Sequence, residues 1–193
     1  MLPDPGDRSP APEPLRALQL FVNTLDTENG IEELTGPETL RQVLVDAKVL
    51  APGTELTEAD LPRALAVREA LRALLLANNG IAAEPGRLAP LERAARAGRL
   101  TLQIGEDGRP QLVPTAEALD GALGRLVAIV HEAALDGSLA RLKACCRDVC
   151  HWVFYDRSRN GSSKWCATSV CGNRTNTKAY RRRKHGGNRR FPQ

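Results

Sequence analysis

The first 140 residues carry apolar side chains at the three- and four-residue spacing that is typical of amphipathic helices. In one such segment, Leu40, Val43 and Ala47 would lie on a single helix face. Helix-stop sequences such as Asn78-Asn79-Gly80 separate the segments. Five helices are predicted in this way, over residues 15–27, 35–48, 57–77, 88–97 and 116–135.

Residues 100–113 break the helical pattern. Leu102 and Ile104 alternate with polar neighbours, and Glu106-Asp107-Gly108 is a turn sequence. This pattern predicts a β-hairpin. Thr115 is then the expected N-cap of the long helix that follows.

The chain divides into parts of different character. Residues 1–14 are rich in Pro, Asp and Glu and predict a disordered lead-in. Residues 15–137 predict a mainly helical domain with one small hairpin, large enough to bury its own core. Residues 138–184 predict a small module that begins with a short helix capped by Ser138, and residues 185–193 a flexible basic tail. The predicted fold class is therefore α+β.

A strand and a turn are predicted between residues 152 and 161. Trp152 and Phe154 would share one face of the strand and form a small core. Asn160-Gly161 is the strongest hairpin signal in the chain, which would return through Lys164-Trp165. We assign these aromatic side chains to the core in preference to a role as stacking platforms for bases.

Charge is distributed unevenly along a chain whose net charge is +4. Residues 141–193 contain 14 Lys and Arg against Asp148 and Asp156, a net charge of +12. Residues 1–140 contain 13 basic and 21 acidic residues, a net charge of −8. Such a split predicts two parts with different partners.

Two observations favour a cytoplasmic protein without membrane contact. No run of about 18 apolar residues could cross a membrane. The first residues also lack the basic and apolar regions of a signal peptide.

All five cysteines lie in the basic part of the chain. Cys145-x4-Cys150 and Cys166-x4-Cys171 are two matching pairs separated by 15 residues. Two such knuckles suit the tetrahedral coordination of zinc, with Zn–S distances of about 2.3 Å. The odd number of cysteines and the absence of a secretion signal argue against disulfides. One structural Zn²⁺ per chain is therefore predicted.

Other interpretations of the cysteines stay open at the level of sequence. Four thiolates could also hold an iron–sulfur cluster, or the cysteines could be unconnected core residues. Cys146 could replace Cys145, although the symmetry of the spacing favours Cys145 and makes Cys146 a spare, packed thiol. His151 stands beside Cys150 and could substitute for a ligand.

Basic residues surround the second cysteine pair and continue after it. If the segment after Cys171 is helical, Arg174, Lys178 and Arg181 form one stripe. Because Lys and Arg contacts to phosphate dominate nucleic-acid affinity, this density favours a binding surface over a solvated tail. The candidate nucleic-acid contacts are Arg157, Arg159, Lys164, Asn173, Arg174, Lys178, Arg181, Arg182, Arg183 and Lys184.

Residues 141–184 resemble the CGNR zinc finger, a family named for the tetrapeptide found here at Cys171-Gly172-Asn173-Arg174. The resemblance includes both cysteine pairs, the segment from His151 to Asn160 and Trp165. Ala167-Thr168 stands where the family usually has Ser-Met, a difference that leaves the ligands unchanged.

The first part of the chain resembles the ABATE domain, a bacterial α+β domain that normally precedes this finger. Phe21-Val22-Asn23-Thr24-Leu25 is similar to its opening motif. Leu15-Arg16-Ala17-Leu18 replaces the Gly-Arg-Leu-type strand that often comes before the motif. The resemblance implies a bacterial transcription regulator, commonly described as stress-related.

The main hypothesis is a zinc-dependent transcription regulator that binds double-stranded DNA, with a first domain that senses a ligand or partner. Asn23 and Thr24 could line a ligand pocket, because polar residues in an apolar stretch need partners. A helix cap or a core hydrogen bond explains them equally well. The alternative is a zinc-finger adaptor that docks on RNA polymerase or another regulator. RNA is a third candidate partner, and a homodimer is compatible with the sequence.

An enzyme is the least favoured class. Four cysteine ligands would close the metal site to water and substrate. His131, on a predicted helix, is the single histidine of the first part, and Gly105-x2-Gly108 belongs to a hairpin turn rather than to a phosphate-binding loop.

Overall fold

The computed structural model describes residues 10–175 and Thr177, which form a helical bundle with three small antiparallel sheets. The helices are α1 (Leu15–Val22), α2 (Pro37–Asp46), α3 (Leu61–Ala77), α4 (Ala89–Ala97) and α5 (Ala118–Leu135). The strands pair as β1 (Leu25–Asp26) with β2 (Ile31–Glu32), β3 (Leu100–Ile104) with β4 (Pro110–Pro114), and β5 (Leu142–Ala144) with β6 (Val153–Tyr155). The α+β class predicted from the sequence is confirmed.

The core lies where α1 packs against α3 and α5. Its side chains come from the apolar faces that the helical spacing predicts, and each contributes about 1.5–3 kcal/mol by leaving water. The largest are at most 2% exposed and include Leu18, Phe21, Leu71, Leu75, Leu123 and Leu126. None of the helices in the described part of the chain is long and apolar enough to cross a membrane.

The predicted β3–β4 hairpin is present, with Leu102 opposite Leu112. It lies against α5, and the chain approaches the helix closely at Gly98. A Cβ added to Gly98 would come within 2.8 Å of the Gly124 Cα atom, so only glycine fits at this crossing.

Two predicted helix caps are wrong. Glu117 is the N-cap of α5, and Thr115 Oγ1 instead donates to the Arg99 carbonyl at 3.0 Å. Gly137, with a φ of +79°, precedes a single 3₁₀ turn at Ser138–Arg141, so Ser138 is not a cap. The short helix predicted here is this 3₁₀ turn, but it ends at Arg141 and does not reach the cysteines, because Leu142 begins β5.

The first helix is also shorter than predicted. It ends at Val22 rather than near Thr27, because the Asn23 side chain that follows bonds to the backbone of Val153. Thr24 Oγ1 donates to the Phe21 carbonyl at 2.8 Å, and β1 starts at Leu25.

The C-terminal module shares its core with the helical part. Strand β6 alternates, so that Val153 joins the main core while Trp152 and Phe154 pack with the cysteines. Leu142 and Ala144 of β5 also belong to the main core. The small core predicted for the two aromatic residues is therefore observed, but the module is built onto the helices.

The hairpin predicted around Asn160-Gly161 has a different partner strand. β6 pairs with β5, which precedes it, and not with residues 164–165. The Gly161 amide donates to the Ser158 carbonyl at 3.2 Å, which makes a turn within the loop that follows β6.

Five residues of the predicted lead-in, 10–14, are described. Ala11 among them is buried, and its amide donates to Gln19 Oε1 of α1 at 2.8 Å. The rest of the lead-in and the predicted tail over residues 185–193 lie outside the described residues.

Candidate metal centre

The four paired cysteines meet at one point in the fold. The sulfur atoms of Cys145, Cys150, Cys166 and Cys171 all lie within 4.8 Å of one another, and all four residues are buried. The Cys166 sulfur is 3.7 Å from that of Cys150 and 3.6 Å from that of Cys171. Tetrahedral zinc with Zn–S bonds of about 2.3 Å would place its sulfur ligands about 3.8 Å apart. The cluster therefore fits one zinc ion.

Backbone hydrogen bonds hold the two knuckles in place. The Cys145 amide donates to the Trp152 carbonyl at 3.0 Å, across the β5–β6 pair. The Cys150 amide donates to the Arg147 carbonyl at 2.9 Å, which closes the first knuckle. The second knuckle is a wide helical turn, Thr168–Gly172.

The electrostatics of the cluster also favour a cation. Hydrogen bonds from Cys150 and Cys166 lower the pKa of the Cys145 thiol to about 4. The resulting thiolate in turn raises the pKa of both Cys150 and Cys166. Four thiolates at this separation repel one another in the absence of a positive charge, and a zinc ion supplies that charge.

Cys146 and His151 lie outside the cluster. The Cys146 thiol donates to the Asn79 carbonyl at 3.4 Å, and burial raises its pKa. His151 is not among the residues that could hold the metal, and its carbonyl accepts a hydrogen bond from Arg72 Nη1 at 3.0 Å. Both positions agree with the expected ligand set.

The first knuckle is bonded to the helical part of the chain. Thr27, just after β1, donates its hydroxyl to the Cys150 carbonyl. Arg72 of α3 donates to the His151 carbonyl through Nη1 and to the Val22 carbonyl through Nη2, at 2.7 Å. Burial lowers the pKa of Arg72, whose side chain is only 4% exposed.

Asn23 joins the same junction through both ends of its amide. Its Oδ1 accepts from the Val153 amide at 2.8 Å, and its Nδ2 donates to the Val153 carbonyl at 2.9 Å. Thr24 is likewise buried and accepts from Arg68 Nη1 at 3.2 Å. These contacts favour the core hydrogen bond over the ligand pocket as the role of Asn23 and Thr24.

The loop between the cysteine pairs is organised by a buried ion pair. Lys143 Nζ lies 2.9 Å from Asp156 Oδ2, and neither side chain is more than 6% exposed. The Asp156 carboxylate also accepts from the amides of Ser158 and Ser163. Burial opposes ionisation of Asp156, but these bonds lower the pKa of the carboxyl below its usual range.

The structure places half of the predicted nucleic-acid contacts and separates them into two groups. Arg157, Arg159 and Lys164 are exposed on the loop after β6. Asn173 and Arg174 are exposed beyond the second knuckle, where Asn173 Nδ2 donates to the Ser169 carbonyl at 3.1 Å. The other predicted contacts lie outside the described residues: Lys178, Arg181, Arg182, Arg183 and Lys184.

One functional candidate escaped the sequence analysis. Glu28, in the turn between β1 and β2, pairs with Arg147 Nη1 and with Arg174 Nη1, each at 2.7 Å. Arg147 Nη1 also lies 3.9 Å from the Cys171 sulfur. An isolated acid in a turn has no pattern that would reveal a partner 146 residues away.

Comparison with known families accounts for both parts of this architecture. The profile of ABATE, a family described as "Putative stress-induced transcription regulator", matches residues 15–142. The chain belongs to the ABATE family. The profile of the CGNR zinc finger matches residues 141–184, directly after the ABATE match. No curated protein matches the chain.

Both family resemblances seen in the sequence are thus confirmed, in the predicted order. The CGNR match contains all four clustered cysteines, and their geometry suits the single zinc ion that this finger implies. The ABATE description is that of a regulator.

Proposed function

We propose that this ABATE protein is a zinc-dependent transcription regulator that binds double-stranded DNA through its CGNR finger. The observation that carries the proposal is a zinc-type cluster whose surrounding loop exposes Arg157, Arg159 and Lys164. Cations on a rigid loop can meet phosphate oxygens without losing much side-chain and backbone freedom on binding. Further basic residues follow in the sequence at 178–184.

Zinc has a structural role in this proposal. Cys145, Cys150, Cys166 and Cys171 would hold the ion and thereby fix the loop that carries the cations. Structural zinc in small modules contributes on the order of 10 kcal/mol of apparent folding free energy. Because all four ligand positions belong to the protein, the ion would have no open position for substrate.

The ABATE domain would act as the sensor. Its β1–β2 turn contacts the finger at two points, through Thr27 to the Cys150 carbonyl and through Glu28 to Arg147 and Arg174. A ligand or partner that shifted this turn would therefore change the surroundings of a candidate DNA contact. These contacts of the β1–β2 turn support the proposal that the ABATE domain and the finger act together.

A second candidate is a finger that docks on RNA polymerase or another regulator. Each knuckle exposes a valine directly before a ligand cysteine, Val149 at 50% and Val170 at 38%. Exposed apolar side chains on a rigid surface favour a protein partner over a polyanion.

The test is fluorescence anisotropy of labelled duplex DNA across a salt series, with three full-length proteins purified in the presence of zinc. We expect wild-type protein and Cys146→Ser to bind, with an affinity that falls steeply as salt rises. Cys166→Ser should lose both the metal and the binding. The Cys146 variant controls for the loss of a thiol, since Cys146 lies outside the cluster.

Absence of duplex binding by zinc-loaded wild-type protein would contradict the proposal. Binding that Cys166→Ser retains would contradict its zinc dependence. Capture of RNA polymerase by the wild-type protein, weakened by Val149→Asp and insensitive to salt, would favour the adaptor instead.

A further inference from the structure

A cleft of about 410 Å³ lies on the finger beside Cys166, outside the metal cluster. One wall is formed by the end of β6 and the residues that follow it, and the other by the segment from Ser163 to Ser169. Its volume falls within the range of about 300–1,000 Å³ that is typical of ligand sites. The cleft shares Arg157 with the cations proposed to contact duplex phosphates, but its interior has no role in that proposal.

Three aromatic residues line this cleft, Phe154, Tyr155 and Trp165, and the last two differ from the buried aromatic core of the finger in their exposure. Trp152 and Phe154 are buried among the cysteines, whereas Tyr155 and Trp165 are only half-buried. Trp165 packs against the cysteine cluster and also reaches the cleft. A Cβ at Gly172 would lie 3.1 Å from Trp165 Cδ1, so the glycine of the CGNR tetrapeptide leaves room for this ring.

Positive charge lies at the edge of the cleft. The Arg157 guanidinium is 5.8 Å from the centroid of the Tyr155 ring, within the range of a cation–π contact. Arg159 and Lys164 are exposed on the same loop.

The one acid that lines the cleft does not oppose an anion. The Asp156 carboxylate is fully buried and is neutralised by Lys143. The hydroxyl-bearing residues Ser163, Thr168 and Ser169 complete the lining. Aromatic rings, a stacked cation and hydroxyl groups suit a flat, polar ring attached to a phosphate chain better than an aliphatic ligand.

We propose that this cleft holds an unpaired base of single-stranded nucleic acid, with the adjacent phosphates on the loop cations. Bases in an intact duplex are stacked and paired, so they cannot enter a side cleft of this kind. The inference rests on the proposed function and adds to it: the finger would bind duplex DNA through its exposed cations and would bind more tightly where an unpaired base can enter the cleft.

The experiment compares two labelled probes by anisotropy, an oligothymidine of about 12 nucleotides and a closed hairpin duplex of similar charge. Full-length, zinc-loaded protein is used in four forms: wild type, Arg157→Gln, Arg159→Gln and Ser169→Leu. Arg157 and Arg159 lie on one loop and carry the same charge, but only Arg157 lines the cleft. Ser169→Leu narrows the cleft without changing the charge.

We expect Arg157→Gln and Ser169→Leu to weaken oligothymidine binding about tenfold more than duplex binding. Ser169→Leu obstructs the approach of a base to the aromatic rings, and Arg157→Gln removes the cation beside the Tyr155 ring. Arg159→Gln should weaken both probes by the same factor, since it removes one phosphate contact. Zinc content and the thermal midpoint show that each variant is folded.

The proposal is overturned if wild-type protein binds the duplex but not oligothymidine. It is also overturned if Arg157→Gln and Ser169→Leu leave the ratio of the two affinities unchanged, as Arg159→Gln is expected to do. In both cases duplex binding stands. Failure of wild-type protein to bind either probe would overturn the proposed function together with the cleft.

Discussion

Glu28 offers a direct test of how the ABATE domain acts on the finger. Its carboxylate bridges Arg147 and Arg174 at 2.7 Å each, and the Arg174 side chain is 57% exposed. While Arg174 is paired with Glu28, it is poorly placed to neutralise a phosphate. We therefore expect Glu28→Gln to raise the affinity of the finger for duplex DNA.

The size of the effect follows from the salt dependence of phosphate contacts. One additional neutralised phosphate changes the slope of log K against log salt by about −0.9. Between about 50 and 200 mM salt, this difference in slope amounts to a factor of about 3.5 in relative affinity. The ratio of the affinity of Glu28→Gln to that of wild type should therefore be about 3.5 times larger at about 50 mM salt than at about 200 mM salt.

The cost in stability should be small. Both ion pairs are partly exposed, and pairs of this kind contribute about 0–1 kcal/mol to folding. Urea unfolding of zinc-loaded protein should confirm that the variant remains folded.

The assay is anisotropy of a labelled duplex at several salt concentrations, with Glu92→Gln as the matched control. Glu92 pairs with Arg96 at 3.8 Å within α4. The Glu92→Gln substitution therefore removes the same charge from the ABATE domain as Glu28→Gln does. The reasoning is refuted if Glu28→Gln binds no more tightly than Glu92→Gln, or if the two variants have equal slopes. Weaker binding by Glu28→Gln would indicate that the pair holds Arg174 in its binding position.

Three further predictions concern the metal and the junction. Cys166→Ser should abolish the bound zinc, whereas Cys146→Ser should retain one ion per chain, as elemental analysis of purified protein will show. Asn23→Ala should lower the free energy of unfolding by about 1–3 kcal/mol in urea titrations, because the buried Val153 amide loses its acceptor while the Val153 carbonyl keeps Gln19 Nε2 as a donor; an effect below about 0.5 kcal/mol would contradict the contribution of this hydrogen bond to stability. Asp156→Asn should cost about 3–5 kcal/mol, since Lys143 would stay buried without its counter-ion. Because the fold lowers the pKa of the Asp156 carboxyl, the loss of stability in Asp156→Asn should be complete at pH values above the ordinary aspartate pKa of 3.8 and should diminish as the pH falls below 3.8. A loss of stability that is independent of pH would contradict the role of the Lys143–Asp156 ion pair.

Helical periodicity was sufficient to predict all five helices, because each one packs apolar side chains at helical spacing against the core. Their ends were less predictable, since the competing bonds are tertiary. The first helix stops at Val22 because Asn23 bonds to Val153, and no local pattern contains a partner 130 residues away. The sequence pattern predicts that Asn23 needs a hydrogen-bonding partner, but it does not predict that the partner is Val153 of the finger.

The metal cluster was predictable because its spacing is local and its chemistry demands four thiols. Strand β5 was missed for the opposite reason. It has only three residues, Leu142–Ala144, all of them buried, and it therefore lacks the alternation that marks a strand. Without β5, the turn at Asn160-Gly161 was the only available way to pair β6, which explains the incorrect hairpin.

The contacts around the first knuckle imply that zinc and the ABATE domain are energetically coupled. The Cys150 and His151 carbonyls accept from Thr27 and from the buried Arg72. Loss of the metal would release this knuckle and take one of the carbonyl partners from the Arg72 guanidinium, which is costly in a buried site. Coupling of this kind is reciprocal: if zinc raises the affinity of the ABATE domain for a ligand by some factor, that ligand raises the affinity for zinc by the same factor. Under the proposed function, the first knuckle would be the part of the finger through which a ligand of the ABATE domain affects the loop with Arg157 and Arg159.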